Sequence, residues 1–130
     1  MVSIYNVTAE GSDLDSFGHV NNSVYLRYIE NARWNYFQSI GLLKNILDAG
    51  MFIVVLETTI RYVNEIKMFD EIEIKTEWSC SGELVINTHR LTDRKTGKLF
   101  AKAKSRLAFI TNDRVICDIP VDVKKEIEGA

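Results

Sequence analysis

Two aspartates, a histidine and two asparagines fall within ten residues near the start of the chain. The stretch reads Asp13-Leu14-Asp15-Ser16-Phe17-Gly18-His19-Val20-Asn21-Asn22. A carboxylate held in a tight turn can act as a base or a nucleophile. Asn21, Asn22 and Ser23 are all helix-capping residue types, and Asn22 is the expected N-cap. The first turn of a helix carries backbone N–H groups without intrahelical partners, and the macrodipole adds partial positive charge there. Such a terminus polarises a carbonyl oxygen as negative charge develops on it. Asp15, just ahead of that terminus, is the candidate acid. Its plain alternative is an Asx turn, in which the carboxylate only bonds nearby backbone. Asp13 reads as a turn residue. His19 has three open roles: bonding the acid, lining a pocket, or pinning the turn.

A helix must position these groups. Ser23 to Ile40 contains no Gly or Pro, and Tyr25, Ile29, Ala32, Tyr36 and Ile40 form one stripe at roughly 100° per residue. Tyr28 flanks the stripe on one side, Leu26 and Phe37 on the other. An apolar arc this wide must be covered. No other segment resembles it, so the cover is expected to be a sheet. Glu30, a rival carboxylate, has Arg27 and Arg33 at helical pairing distance. Trp34 projects near the polar face, toward a subunit contact, a ligand or a neighbouring loop.

The strands are read from alternation. One runs near Ser3 to Ala9. After a short helix over Leu42 to Ala49, Met51 to Val63 reads as a long strand. Its first half, Met51 to Leu56, is apolar on both faces and so needs cover on both sides. Asp70 to Trp78 sets Ile72, Ile74, Thr76 and Trp78 against Glu71, Glu73, Lys75 and Glu77. Ser81-Gly82 and Asp93 to Gly97 are turns around a strand from Leu84 to Thr92. Lys98 to Ile110 puts Leu99, Ala101, Ala103, Leu107 and Phe109 on one face, with Lys98, Lys102, Lys104 and Arg106 opposite. That basic row reads as a solvated sheet face, with attraction of a ligand's phosphates as its rival. Pro120 opens a short terminal helix carrying Val123 and Ile127. One strand, a helix and four strands make an α+β pattern with a mainly antiparallel sheet.

The segment from Asp13 to Arg33 reads Asp-x-Asp-x-x-Gly-His-Val-Asn-Asn-x-x-Tyr-Leu-x-Tyr-x-Glu-x-Ala-Arg. It resembles the opening motif of the 4-hydroxybenzoyl-CoA thioesterase family. It is also similar to acyl-acyl carrier protein thioesterases, which share His-Val-Asn-Asn, although Phe17 stands where that branch has an Asn. The likeness continues less sharply from Val54 to Asp70. It implies a hot-dog fold, a five-stranded sheet wrapped around one long central helix. It also implies that Asp15 is the catalytic carboxylate and that the Asn22 backbone amide polarises the thioester carbonyl. No cofactor and no metal are required. Thr58 and Thr59 become candidates to line an acyl channel, with Tyr25 on the helix a further substrate contact. The family shares its active site between protomers, which implies a homodimer or a dimer of dimers.

Composition bounds the alternatives. The chain of 130 residues reads as one domain spanning its whole length, with 46% apolar residues, enough for a globular core. A net charge of −2 opposes general nucleic-acid binding. No signal-like opening and no apolar run of spanning length appears, so no membrane association is expected. Cys80 and Cys117 read as free thiols in a reducing, cytoplasmic setting. The expectation is an acyl-CoA thioesterase acting on acyl-CoA or acyl-carrier-protein thioesters. The alternative is a non-catalytic acyl-CoA-binding or sensing module, since fold does not fix function. A hydratase of the same fold would need a His-Asp or His-Glu motif that is absent here.

Overall fold

The computed structural model describes residues 1–129. In chain order it contains β1 (Val2–Thr8), a 3-10 turn (Gly11–Asp13), α1 (Asn22–Ser39), α2 (Leu43–Asp48), β2 (Phe52–Tyr62), β3 (Glu71–Ser81), β4 (Leu84–Asp93), β5 (Leu99–Ile110), β6 (Ile116–Cys117) and α3 (Val121–Glu128). The strands form one antiparallel sheet in the order β1-β3-β4-β5-β2, and the two-residue β6 pairs with β5. The expected five strands are therefore joined by a sixth. It follows a turn in which Arg114 takes a left-handed φ of 64°.

The amphipathic reading of α1 holds. Tyr25, Tyr28, Ile29, Ala32, Tyr36 and Phe37 are its buried residues. Leu26, placed on the flank of the stripe, is instead exposed. The alternation of β3 also holds, with Ile72, Ile74, Thr76 and Trp78 buried. That of β5 holds from Ala101 to Leu107 only: Leu99 is half-buried, and Phe100, Ala108 and Ile110, on the other face, are buried as well as Phe109. At α3, Pro120 is the N-cap, and Val123 and Ile127 are buried. Trp78 stacks on Tyr36 with ring centroids 4.2 Å apart, so helix and sheet meet through aromatic faces.

β2 departs from simple alternation. Its register against β5 shifts between Val55 and Glu57, where Leu56 is the extra residue of a bulge. Before the bulge, Ile53 and Val55 sit opposite the buried Phe109 and Leu107. After it, Thr58 and Ile60 sit opposite the buried Ser105 and Ala103. The bulge thus moves the inward face from odd to even positions. It turns Thr58 toward the helix, and Thr59 and Arg61 toward the outer face.

Candidate active site

The acidic stretch folds into a compact hairpin ahead of α1. Leu14 and Val20 form an isolated antiparallel bridge. The Asp15 N–H donates to the His19 carbonyl at 2.9 Å, and the Gly18 N–H to the Asp15 carbonyl at 3.2 Å. Gly18 has φ of 84°, which only a residue without Cβ adopts at little cost. The hairpin is anchored at its base: Asn21 N–H bonds the Asp13 carbonyl, and Val20 N–H bonds the Ile66 carbonyl.

Within this hairpin Asp15 is half-buried. Its Oδ1 accepts from the Phe17 N–H at 2.8 Å, so the Asx-turn reading is realised. Its Oδ2 lies 3.7 Å from His19 Nδ1. One carboxylate oxygen is thereby fixed by backbone while the other faces the imidazole. Phe17, 83% exposed, stacks beside the His19 ring at a centroid distance of 6.2 Å.

The helix cap differs from expectation. Asn21, not Asn22, is the N-cap, and its side chain accepts from the Ser23 N–H at 3.0 Å. Asn22 is the first helical residue, and its N–H has no partner among the described residues. An unpartnered amide in the first turn is the donor that an oxyanion needs. The Asn22 carbonyl accepts from the Tyr62 hydroxyl at 3.0 Å, so the end of β2 holds the helix start in place. Tyr25 is buried and meets Tyr62 edge-on at 4.8 Å. Its contact with the site passes through Tyr62.

Asp13 is more than a turn residue. It is 3% exposed, and its carboxylate accepts from the Glu10 N–H at 3.0 Å, from the Tyr28 hydroxyl at 2.8 Å, and from the Arg27 guanidinium. Burial alone would raise its pKa. The hydrogen bonds from Glu10, Tyr28 and Arg27, with the Arg27 charge, outweigh burial and hold it below the ordinary value. The Tyr28 hydroxyl is pushed up by burial and by Asp13, which keeps it a donor. Arg27 is therefore taken by Asp13 and not by Glu30. Glu30 instead accepts a long 3.5 Å bond from the Trp34 indole. Sequence spacing gave no sign of the Asp13 pairing, because its partners lie 14 and 15 residues away on a helix.

Thr58 and Thr59 separate. Thr58 is half-buried, shares a 3.1 Å hydrogen bond with Ser105, and lines a groove of about 410 Å³ between α1 and β2 with Leu26, Ile29, Glu30, Arg33 and Val55. Thr59 pairs with Lys104 on the outer face and takes no part in that groove.

Beneath the groove lies a polar layer not anticipated from sequence. Asn87 and His89 are fully buried on β4, and both Asn87 amide atoms, His89 Nε2 and Arg33 Nη1 lack partners among the described residues. His89 Nδ1 meets Thr76 Oγ1 at 2.8 Å. Burial, aided by the Arg33 charge, pushes the His89 pKa down to about 3. The folded state thus resists a proton that the unfolded chain accepts below the ordinary value of 6.5. Stability is lost as pH falls from 6.5 toward 3. His89→Gln is expected to flatten that loss, measured as melting temperature against pH for both proteins.

Residues 10–127 match the family model of the thioesterase-like superfamily. The chain belongs to that superfamily. Its fold is the hot-dog fold, as the Asp13–Arg33 motif implied. It is 37% identical over 68 residues to protein THEM6 of Xenopus laevis, covering 52% of this chain and 33% of that protein. It is 29% identical over 68 residues to the chloroplastic acyl-acyl carrier protein thioesterase ATL3 of Arabidopsis thaliana, covering 52% and 36%. These matches span about a third of the length of either relative. Slr0204, a 1,4-dihydroxy-2-naphthoyl-CoA thioesterase from Synechocystis, superposes with a TM-score of 0.90 over 98% of this chain and 96% of its own, at 18% identity. That likeness is one of fold. Several thioesterase types share it, so the narrower 4-hydroxybenzoyl-CoA group is not singled out. No helix among the described residues is long and apolar enough to cross a membrane.

Proposed function

We propose that this chain hydrolyses acyl thioesters, acyl-CoA foremost, with Asp15 and the Asn22 amide as its catalytic groups. The observation that carries the reading is the succession of the Asp15 hairpin and the start of α1. A half-exposed carboxylate precedes a helix terminus whose first N–H has no partner. In the base form of the reaction, Asp15 Oδ2 takes a proton from water while the oxygen attacks the thioester carbonyl carbon. The carbonyl oxygen becomes an oxyanion held by the Asn22 N–H. Collapse then breaks the C–S bond, returns the proton to sulfur, and leaves a carboxylic acid and a thiol. In the nucleophile form, Asp15 attacks the carbonyl carbon, the C–S bond breaks to release the thiolate, and water then cleaves the resulting anhydride to two carboxylic acids. His19, near Oδ2, orients the carboxylate in either form. The test is thiol release from a panel of acyl-CoA esters of varied length and aromaticity. Tight binding without any thiol release would favour the non-catalytic binding module.

The working unit in this proposal is a homodimer joined along β2. That strand ends the sheet and, among the described residues, pairs only with β5. Its Val55 and Leu56 are 47% and 49% exposed, beside an exposed Phe52. A bare apolar edge invites another strand. A second copy would pair there isologously and close the open side of the α1–β2 groove, bringing Thr58 into a shared pocket. Val55→Asp should leave a folded monomer, because a charge costs little at an exposed site but several kcal/mol when buried unpaired. Sedimentation should then show lost association, with activity lost alongside. Full activity per chain in a monomer would overturn the shared site.

A further inference from the structure

We propose that the outer face of the sheet is a docking site for an acidic helix on the protein that carries the acyl thioester. This inference rests on the thioesterase reading and adds a carrier-protein form of the substrate beside acyl-CoA. Its origin is the strand register. Arg61 of β2 sits opposite Lys102 of β5, Lys102 opposite Arg90 of β4, and Arg90 opposite Lys75 of β3. Four cations thus stand in one row across four strands, all exposed. Lys104 stands beside them in the adjacent row, between Thr59 and Thr88. No ion pair engages any of the five among the described residues. One row further, Arg106 is paired with Glu57 at 3.6 Å and closes the patch. Glu73 and Glu77 flank Lys75 along β3, so the uncompensated centre is Arg61, Lys102, Lys104 and Arg90.

Like charges directly opposite one another destabilise a sheet. The chain as a whole has 18 acidic and 16 basic residues, so the cluster does not follow from its composition. The same balance opposes a nucleic-acid partner, which calls for a basic excess. A shallow depression of about 300 Å³ lies along the row, lined by Lys75, Thr88, His89, Arg90 and Lys102, with Glu77 at its β3 side. Neighbouring strands are about 4.8 Å apart. Carboxylates one turn apart on a helix are separated by about 5–6 Å. A helix laid across the strands can therefore set one carboxylate against each cation, and the arginine forks suit carboxylates. A bound nucleotide would engage fewer of these positions. The row also begins in the right place. Arg61 precedes Tyr62, whose hydroxyl holds the carbonyl of Asn22 at the helix start.

The test uses holo-acyl carrier protein, a small acidic helical protein, as the probe. Its binding to the wild-type chain is measured by fluorescence anisotropy at low and physiological salt. The Arg90→Glu/Lys102→Glu protein should bind about tenfold or more weakly, and wild-type affinity should fall with salt. Lys124→Glu/Lys125→Glu on α3 makes the same change in net charge elsewhere and should bind as wild type. The row variant should also melt no lower than wild type: of the three contacts along the row, those with Arg61 and Lys75 become attractive on reversal, while the one between positions 90 and 102 stays like-charged. In turnover, it should lose kcat/KM for the acyl carrier protein thioester while keeping that for the acyl-N-acetylcysteamine and acyl-CoA esters. An equal loss for acyl-CoA would assign the row to nucleotide phosphates and overturn the proposal. Equal binding by the row and α3 variants, or no wild-type binding, would overturn it too. A wild-type protein that binds the carrier but cleaves no thioester would refute the hydrolase reading and leave the docking site standing.

Discussion

Asp15→Asn is expected to lower kcat for thioester hydrolysis by about two orders of magnitude or more, the scale of a lost base or nucleophile, while leaving the melting temperature unchanged. The structural part of the Asp15 side chain is its Oδ1 acceptor for the Phe17 N–H. An asparagine carbonyl oxygen can fill that place. What an amide cannot do is take a proton from water or form an anhydride. Glu30→Gln is the matched control. Glu30 is exposed on α1 at the wall of the α1–β2 groove, where its described bond is the 3.5 Å contact from Trp34. Its loss should change turnover by only a few-fold. The measurement is thiol release under saturating acyl-CoA, with melting curves run beside it. Retained turnover in Asp15→Asn together with abolished turnover in Glu30→Gln would assign the chemistry to the helix carboxylate.

Asp13→Ala should do the reverse, with a large effect on stability that extends to acid sensitivity. The substitution strands the Glu10 N–H and the Tyr28 hydroxyl and releases Arg27. Hydrogen bonds to a charged group are worth about 1.5–3 kcal/mol each. Arg27 is more than half exposed and can return to water, so its share is discounted. About 3 kcal/mol is expected, a fall in melting temperature on the order of 10 °C for a domain of this size. The sign with pH follows from the depressed pKa. The Asp13 contribution is present above the ordinary carboxyl value of 3.8 and disappears as pH falls through the lower folded value. The wild-type advantage over Asp13→Ala should therefore be constant near neutrality and shrink at low pH. Urea titrations at several pH values measure it. An advantage that persists undiminished into strong acid would show that the carboxylate charge is not what holds the hairpin base.

Local periodicity carried most of the architecture. The helical stripe from Tyr25 to Phe37 and the alternation in β3 and β5 each report which side of one element is apolar. Burying those sides against one another leaves few arrangements for one helix and one antiparallel sheet. The motif from Asp13 to Asn22 was equally legible, because a glycine turn and helix-capping residues act within a few positions of themselves. The N-cap slipped by one, to Asn21. Asn21, Asn22 and Ser23 are all capping types, and the choice fell to the Asn21 N–H bond to the Asp13 carbonyl.

What only the tertiary structure decided involves partners distant in sequence. Asp13 reads as a turn residue until Arg27 and Tyr28 come round the helix to meet it. Thr58 and Thr59 are equivalent in sequence. The bulge at Leu56, set by pairing with β5, sends one to the groove and the other to the outer face. The same bulge carries Arg61 outward into register with Lys102, Arg90 and Lys75. Asn87 and His89 sit on an alternating strand like any buried pair, and nothing local marks them as lying under Arg33. A residue's face is written in its near neighbours, whereas its partner depends on which strand lies alongside and in what register.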